Sequence, residues 1–220
     1  MSAYDSPMRL YIPGAGRTGR DAWPKQSADN AVFAQFVPHT SKEEQLQHLA
    51  QIAPDGPVDV VAHSLGAERA VLALGRGLFQ ARRLILLEPA LYDLARGDEH
   101  IEKHISTVTR AHQRSSAGEL YGFWEIFRPL FFGGPADPEQ WDQEKALAEH
   151  FASVSPPWGD GVTGEMIPAE GTIVATGNWN PEYEAIADAL SALGARHIHV
   201  TGSRHRPQDH QYFEQAVFGG

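Results

Sequence analysis

The stretch Val58-Asp59-Val60-Val61-Ala62-His63-Ser64-Leu65-Gly66-Ala67 decides how the rest of the 220-residue chain is read. A short, largely β-branched run leads into Ser64. Directly after it, Ala67, Ala70, Val71 and Leu74 recur at helical spacing. A strand that becomes a helix at one serine leaves no room for a loop. Ala62 and Gly66, two positions before and two after Ser64, are small enough to let strand and helix pass that closely. Such a turn lifts the Ser64 hydroxyl to a helix N-terminus, where free N–H groups and the helix dipole favour developing negative charge.

Working outward, short apolar runs alternate with helix-period segments, which predicts an α/β fold with a mostly parallel sheet. The expected strands are Arg9 to Ile12, Ala31 to Val37, Val58 to Ala62, Arg82 to Leu87, Thr172 to Thr176 and His197 to Thr201. Ser41 and Glu44 form a capping box before a helix that Pro54 and Gly56 end. Asn180 followed by Pro181 caps another, and a last helix is expected over Gln208 to Phe218. Residues 92–167 break the alternation: they are rich in aromatics and hold no strong strand signal. They are read as a helical lid inserted between two core segments, 1–91 and 168–220, and lying over the sheet's C-terminal edge.

Composition narrows the function. The formal charge is −10, 42 % of residues are hydrophobic and 21 % are charged, as in a soluble globular protein. The acidic balance argues against nucleic acid or an anionic membrane as partner. With no cysteine, a thiol nucleophile, a disulfide scaffold and thiolate-bound metal are excluded. No signal peptide is visible at the start, and no apolar run approaches the ~20 residues of a membrane helix, so a cytoplasmic location is expected.

The pattern Ala62-His63-Ser64-Leu65-Gly66, with a strand before it and a periodic helix after it, resembles the nucleophile elbow of the α/β-hydrolase superfamily. Ala62 stands where Gly is commoner. The resemblance spans most of the chain. It is similar to a group of small bacterial α/β hydrolases in having Glu88-Pro89 after the strand that follows the elbow helix, a lid, Pro156-Pro157-Trp158, and Thr176-Gly177 without a following Asp. The superfamily usually opens with a β-hairpin. Only eight residues precede Arg9, so a shortened six-stranded core is expected.

The resemblance implies a serine hydrolase acting on an ester, thioester or related acyl bond, and it assigns roles. The loop Pro13-Gly14-Ala15-Gly16 would form half of an oxyanion hole, with the amides of Ala15 and Leu65 as donors. The base would be His205, in the loop after the last strand, with His210 second because it falls in the final helix. The usual acid position holds Asn180, which carries no charge. Glu88 is therefore the expected acid, with Glu182 and Asp93 as alternatives. Gly14, His63, Trp124 and Phe127 are expected to contact substrate, the two aromatics as walls of an apolar acyl pocket.

Other signals are weaker. Gly14-x-Gly16-x-x-Gly19 matches a dinucleotide fingerprint, but no acidic residue ends the second strand. His100 and His104 lie four apart, yet Glu102 is one position late for a zinc protease, and the segment reads as a solvated helix face. His197 and His199 share a strand face and are expected to pack or hydrogen-bond rather than ligate. Arg82-Arg83 reads as a strand-edge charge pair. No cofactor and no metal is expected. The expected partner is a small acyl substrate, with a homodimer left open. A cofactor-free lyase or oxygenase, and a non-catalytic ligand-binding protein, are the alternative functions for the same fold.

Overall fold

Each of the six apolar runs becomes a strand in the computed structural model, which describes residues 7–219. The strands are β1 (Arg9–Ile12), β2 (Ala31–Phe33), β3 (Val58–His63), β4 (Ala81–Leu87), β5 (Thr172–Thr176) and β6 (Arg196–His199). All neighbours pair in parallel, in the order β2-β1-β3-β4-β5-β6. Residues 1–6, read above for a leader, lie outside the described residues. The α-helices are α1 (Lys42–Ile52), α2 (Leu65–Gly75), α3 (Glu99–Ser116), α4 (Leu120–Phe131), α5 (Trp141–Ser153), α6 (Pro181–Ala192) and α7 (Phe213–Phe218). Among the described residues, no helix is long and apolar enough to cross a membrane.

Strands covered on both faces need apolar side chains on both sides, and β3 is buried along its whole length. On one face, Tyr11, Val61, Ile85, Leu87 and Ala175 pack with Trp23 and with Phe213 and Val217 of α7. Asp59 is the charged exception in β3. Its Oδ2 accepts from Arg82 at 2.6 Å and Arg83 at 2.7 Å, which gives the arginine pair its use. The capping box of α1 forms as read: Ser41 accepts from the Glu44 N–H, and the Glu44 carboxylate accepts from the Ser41 N–H. Asn180 caps α6 by accepting from the Glu182 N–H at 2.9 Å.

β3 and β4 each run one residue beyond expectation, to His63 and from Ala81, and three other elements depart further. β2 stops at Phe33 rather than Val37, because the Phe36 N–H is taken by the Thr18 hydroxyl instead of a strand neighbour. β6 spans Arg196–His199, although the Val200 N–H still reaches the Thr176 carbonyl at 2.7 Å. The last helix is split into a 3₁₀ turn, Pro207–Asp209, and α7. His210 lies between them with extended backbone (ψ 140°) and is not inside a helix.

The chain divides into two compact units, Met1–Ala95 with Pro157–Gly220, and Arg96–Pro156. The first holds the sheet and also the 3₁₀ turns Tyr92–Ala95 and Gly164–Met166, which the sequence reading placed in the insertion. The second is α3, α4 and α5. Its interior is an aromatic stack in which Phe127 meets Phe123, Phe131 and Phe151 at 4.0–5.2 Å between ring centroids. His104 is buried with its ring against Phe131, so the solvated face expected for both histidines holds only for His100.

The β3–α2 junction depends on one missing methyl group. A Cβ on Gly66 would stand 2.4 Å from the Pro13 carbonyl oxygen and 2.6 Å from that of Ile12, both backbone atoms of β1 and its loop. Gly66→Ala is therefore expected to lower the unfolding free energy by about 2–3 kcal/mol, read as a lower midpoint in urea at unchanged m-value.

Candidate active site

Ser64 ends β3 with φ 52° and ψ −122°, a conformation that residues with a side chain rarely adopt. Its backbone is tied on both sides. The Ser64 N–H donates to the Leu87 carbonyl at 2.9 Å, and the Ser64 carbonyl accepts from Ala67 at 3.0 Å and Ala90 at 3.1 Å. Glu88 after β4, Asn178 after β5 and Arg204 after β6 also have positive φ, at 43°, 53° and 49°. Backbone strain thus gathers along the C-terminal edge of the sheet, where parallel sheets bind their ligands.

Glu88 is fully buried. Its Oε1 accepts from the Gly177 N–H at 2.5 Å and its Oε2 from the Trp179 Nε1–H at 3.1 Å. The same Oε2 lies 3.8 Å from His205 Nδ1, an ion-pair separation longer than a hydrogen bond. That Nδ1 is buried and has no hydrogen-bond partner among the described residues. The alternative acids are engaged elsewhere: Glu182 accepts from the Tyr92 hydroxyl at 3.4 Å, and Asp93 from the Gly159 N–H at 2.9 Å.

The expected oxyanion loop lies against the serine. A Cβ on Gly14 would come within 3.1 Å of Ser64 Cβ and 3.2 Å of His63 Nδ1, so the bare backbone of Gly14 is what allows this approach. Ala15 follows it in the loop. Leu65 is the first residue of α2, and its N–H is one the helix itself does not use.

His63 is buried, and its Nε2–H donates to the His205 carbonyl at 2.7 Å. The side chain read as a substrate contact therefore anchors the backbone of the candidate base. Burial, with the nearby His205 and Arg206 adding to it, holds His63 well below the ordinary histidine pKa of 6.5. Trp124 and Phe127 belong to the second unit. There Trp124 Nε1–H donates to Glu144 at 2.5 Å and Phe127 sits in the aromatic stack.

Two residues of this neighbourhood were not singled out from sequence. Trp179 supplies the indole donor to Glu88. Tyr183, in the first turn of α6, has its ring 5.1 Å from the His205 ring, and Ser64 is near enough to its hydroxyl to influence the phenol's ionisation. Burial, then the negative charges of Glu88 and Glu182, push the Tyr183 phenol up, so it stays neutral. Burial likewise raises Tyr92, whose hydroxyl donates to Glu182. Tyr183 shares a helix face with Ile186, Ala187 and Leu190, a spacing that reads as packing. Its place in the first turn of a helix that starts at the sheet's C-terminal edge was the available signal.

The fold has known counterparts. The structure of MenH from S. aureus superposes with a TM-score of 0.60 at 13 % identity, covering 97 % of this chain and 89 % of that one. An α/β hydrolase from Sphaerobacter thermophilus matches at 0.55 and 20 %, covering 88 % and 84 %. The enol-lactonase from Burkholderia xenovorans LB400 matches at 0.51 and 14 %, covering 89 % and 83 %. The chain has the α/β-hydrolase fold, with a six-stranded sheet among the described residues. No family model matches the sequence, and no curated protein does.

The neutral, buried His63 has a measurable consequence. Its folded pKa is depressed, so below pH 6.5 the unfolded chain binds a proton that the folded chain does not. Stability attributable to His63 is thus present above pH 6.5 and is lost as pH falls toward its folded pKa, at up to about 1.4 kcal/mol per pH unit. Urea unfolding of wild type between pH 7 and 5 should show a steeper loss than His63→Gln, which keeps a donor for the His205 carbonyl but cannot titrate.

Proposed function

We propose that this chain, a protein of α/β-hydrolase fold, is a serine hydrolase that cleaves an ester, thioester or related acyl bond of a small, partly apolar substrate. The observation that carries the reading is the convergence of three groups from separate strand ends. His63, the residue before Ser64, donates to the His205 carbonyl at 2.7 Å, its ring lies 4.8 Å from the His205 ring, and Glu88 faces His205 Nδ1 at 3.8 Å. A strained serine, an imidazole and a buried carboxylate are the parts that nucleophilic acyl transfer needs.

In the proposed reaction the Ser64 hydroxyl donates to His205 Nε2. Its oxygen attacks the substrate carbonyl as His205 takes the proton. The Ala15 and Leu65 amides hold the oxyanion that forms. Glu88 fixes the ring through Nδ1 and stabilises the imidazolium. The 3.8 Å contact is expected to tighten when substrate is bound. Collapse of the intermediate expels the alcohol or thiol, protonated by His205, and leaves an acyl-Ser64. Water, deprotonated by the same histidine, then releases the acid. The enol-lactonase among the structural neighbours acts on an ester bond of the class proposed here.

A fluorophosphonate probe should label Ser64 stoichiometrically in the wild-type chain and not in Ser64→Ala. On a p-nitrophenyl ester, Ser64→Ala should lower kcat by on the order of 10⁴–10⁶, and Glu88→Gln by on the order of 10³–10⁴. A folded wild-type chain that takes no label would overturn the acyl-enzyme. If Ser64→Ala still abolished turnover of some substrate, proton transfer at the same site would replace it.

A further inference from the structure

A second cluster of chemically competent side chains lies on β6, outside the groups proposed for acyl transfer. His197 and His199 are two residues apart on this edge strand, so both project from one face. Their ring centroids are 4.3 Å apart. Glu184, in the first turn of α6, turns its carboxylate toward them. Its Oε2 lies 3.1 Å from His199 Nε2 and 3.6 Å from His197 Nε2, and the three donor atoms all lie within 4.8 Å of one another.

We infer that Glu184, His197 and His199 form a binding site for a divalent transition-metal cation of the Zn²⁺ class. Three features carry this. First, the donor set is two imidazoles and one carboxylate, a set that suits Zn²⁺ and leaves a fourth position for water. Second, the spacing fits. Donors about 2.0–2.1 Å from a tetrahedral ion stand about 3.3 Å from each other, and the two Glu184–His separations bracket that value. Third, the carboxylate is only partly used by the protein. Glu184 Oε1 is buried and has no hydrogen-bond partner among the described residues, which is costly for a charged group unless something else bonds it.

The surroundings favour a cation. Asp188, one turn further along α6, adds negative charge toward His197. His197 Nε2 lies 2.8 Å from the Thr176 hydroxyl oxygen, and a bound ion would take that nitrogen's lone pair in place of this contact. The side chains are also reachable, at 17 % exposure for His197, 24 % for Glu184 and 47 % for His199. A cation here clips an edge strand to the helix packed beside it. The ligands replace the purely packing and hydrogen-bonding role that the strand pattern alone assigns to the two histidines. The site is independent of the chemistry proposed for Ser64.

The test uses the full-length chain, stripped with a chelator and titrated with Zn²⁺ alone by calorimetry. Wild type should bind one equivalent that is lost, or weakened at least about tenfold, in both His199→Ala and Glu184→Gln. The control His210→Ala should match wild type. At Zn²⁺ about 100 times the dissociation constant, the Tm of wild type should rise by about 5–10 °C, and that of the two ligand variants should not. His199 is half-exposed, so His199→Ala should unfold at the wild-type temperature without metal, and Glu184→Gln provides a second reading. No uptake by wild type, or uptake that survives both substitutions unchanged, overturns the site.

Discussion

The hydrogen bond from the Ser64 N–H to the Leu87 carbonyl is the constraint on which the candidate site depends. The β3–β4 ladder pairs His63 with Leu87 and then continues one residue past the strand, into a serine with positive φ. The same device recurs at the next ladder, where the Glu88 N–H donates to the Ala175 carbonyl at 3.0 Å. The last ladder also runs one residue past its strand, where the Val200 N–H, leading into the loop of His205, donates to the Thr176 carbonyl without a positive φ. Strain of this kind costs roughly 1–3 kcal/mol per residue. A net backbone hydrogen bond contributes about 0.5–1.5 kcal/mol. Ser64 has one such bond through its N–H and two through its carbonyl, enough to offset the strain without help from its side chain. The hydroxyl is left free for chemistry because the main chain alone holds the residue in place.

Electrostatics then decides which neighbour is charged. A carboxylate as buried as Glu88 loses several kcal/mol of hydration. Two N–H donors, Gly177 and the Trp179 indole, return about 1.5–3 kcal/mol each as hydrogen bonds to a charged group. The same Oε2 that accepts from the indole also faces His205 Nδ1 at 3.8 Å. Around it, burial keeps His63 uncharged and the phenols of Tyr183 and Tyr92 protonated. An imidazolium forming on His205 would face Glu88, with no competing cation on the histidine that holds its carbonyl.

The strand set, the strand-to-helix turn at Ser64 and the caps of α1 and α6 were legible because each is a local matter of period, size or side-chain reach. Ala62 and Gly66 must be small whatever the rest of the fold does, and Asn180 before Pro181 can cap a helix from sequence alone. Glu88 was legible for a related reason: a carboxylate directly after an apolar run falls at a strand exit. Contacts between distant segments were not legible. Nothing in the residues around His63 says that its ring meets the carbonyl of His205, 142 positions away. Tyr183 sits on the apolar face of α6, and period-based reading treats such a residue as packing. Only the three-dimensional arrangement shows that its ring lies against His205. His104 was misread because His100 and His104 were treated as one face, whereas the second packs against Phe131.

Helix α6 joins these observations. Its first turn presents consecutive residues in different directions, about 100° apart. Tyr183 turns to Ser64 and His205, and Glu184 turns to His197 and His199. The Asn180 cap and Pro181 fix where that turn begins. The position of the phenol is therefore set by the backbone of a single helical turn, which also carries the Glu184 contacts to an edge strand. An edge strand is paired on one side, so it restrains its neighbours less than a central strand does. A cation bridging Glu184 to both histidines would stiffen the turn from which Tyr183 projects, without touching any group proposed for acyl transfer. The fold thus restrains Ser64 and Glu88 by inter-strand backbone bonds, and Tyr183 through the capped first turn of the helix that carries it.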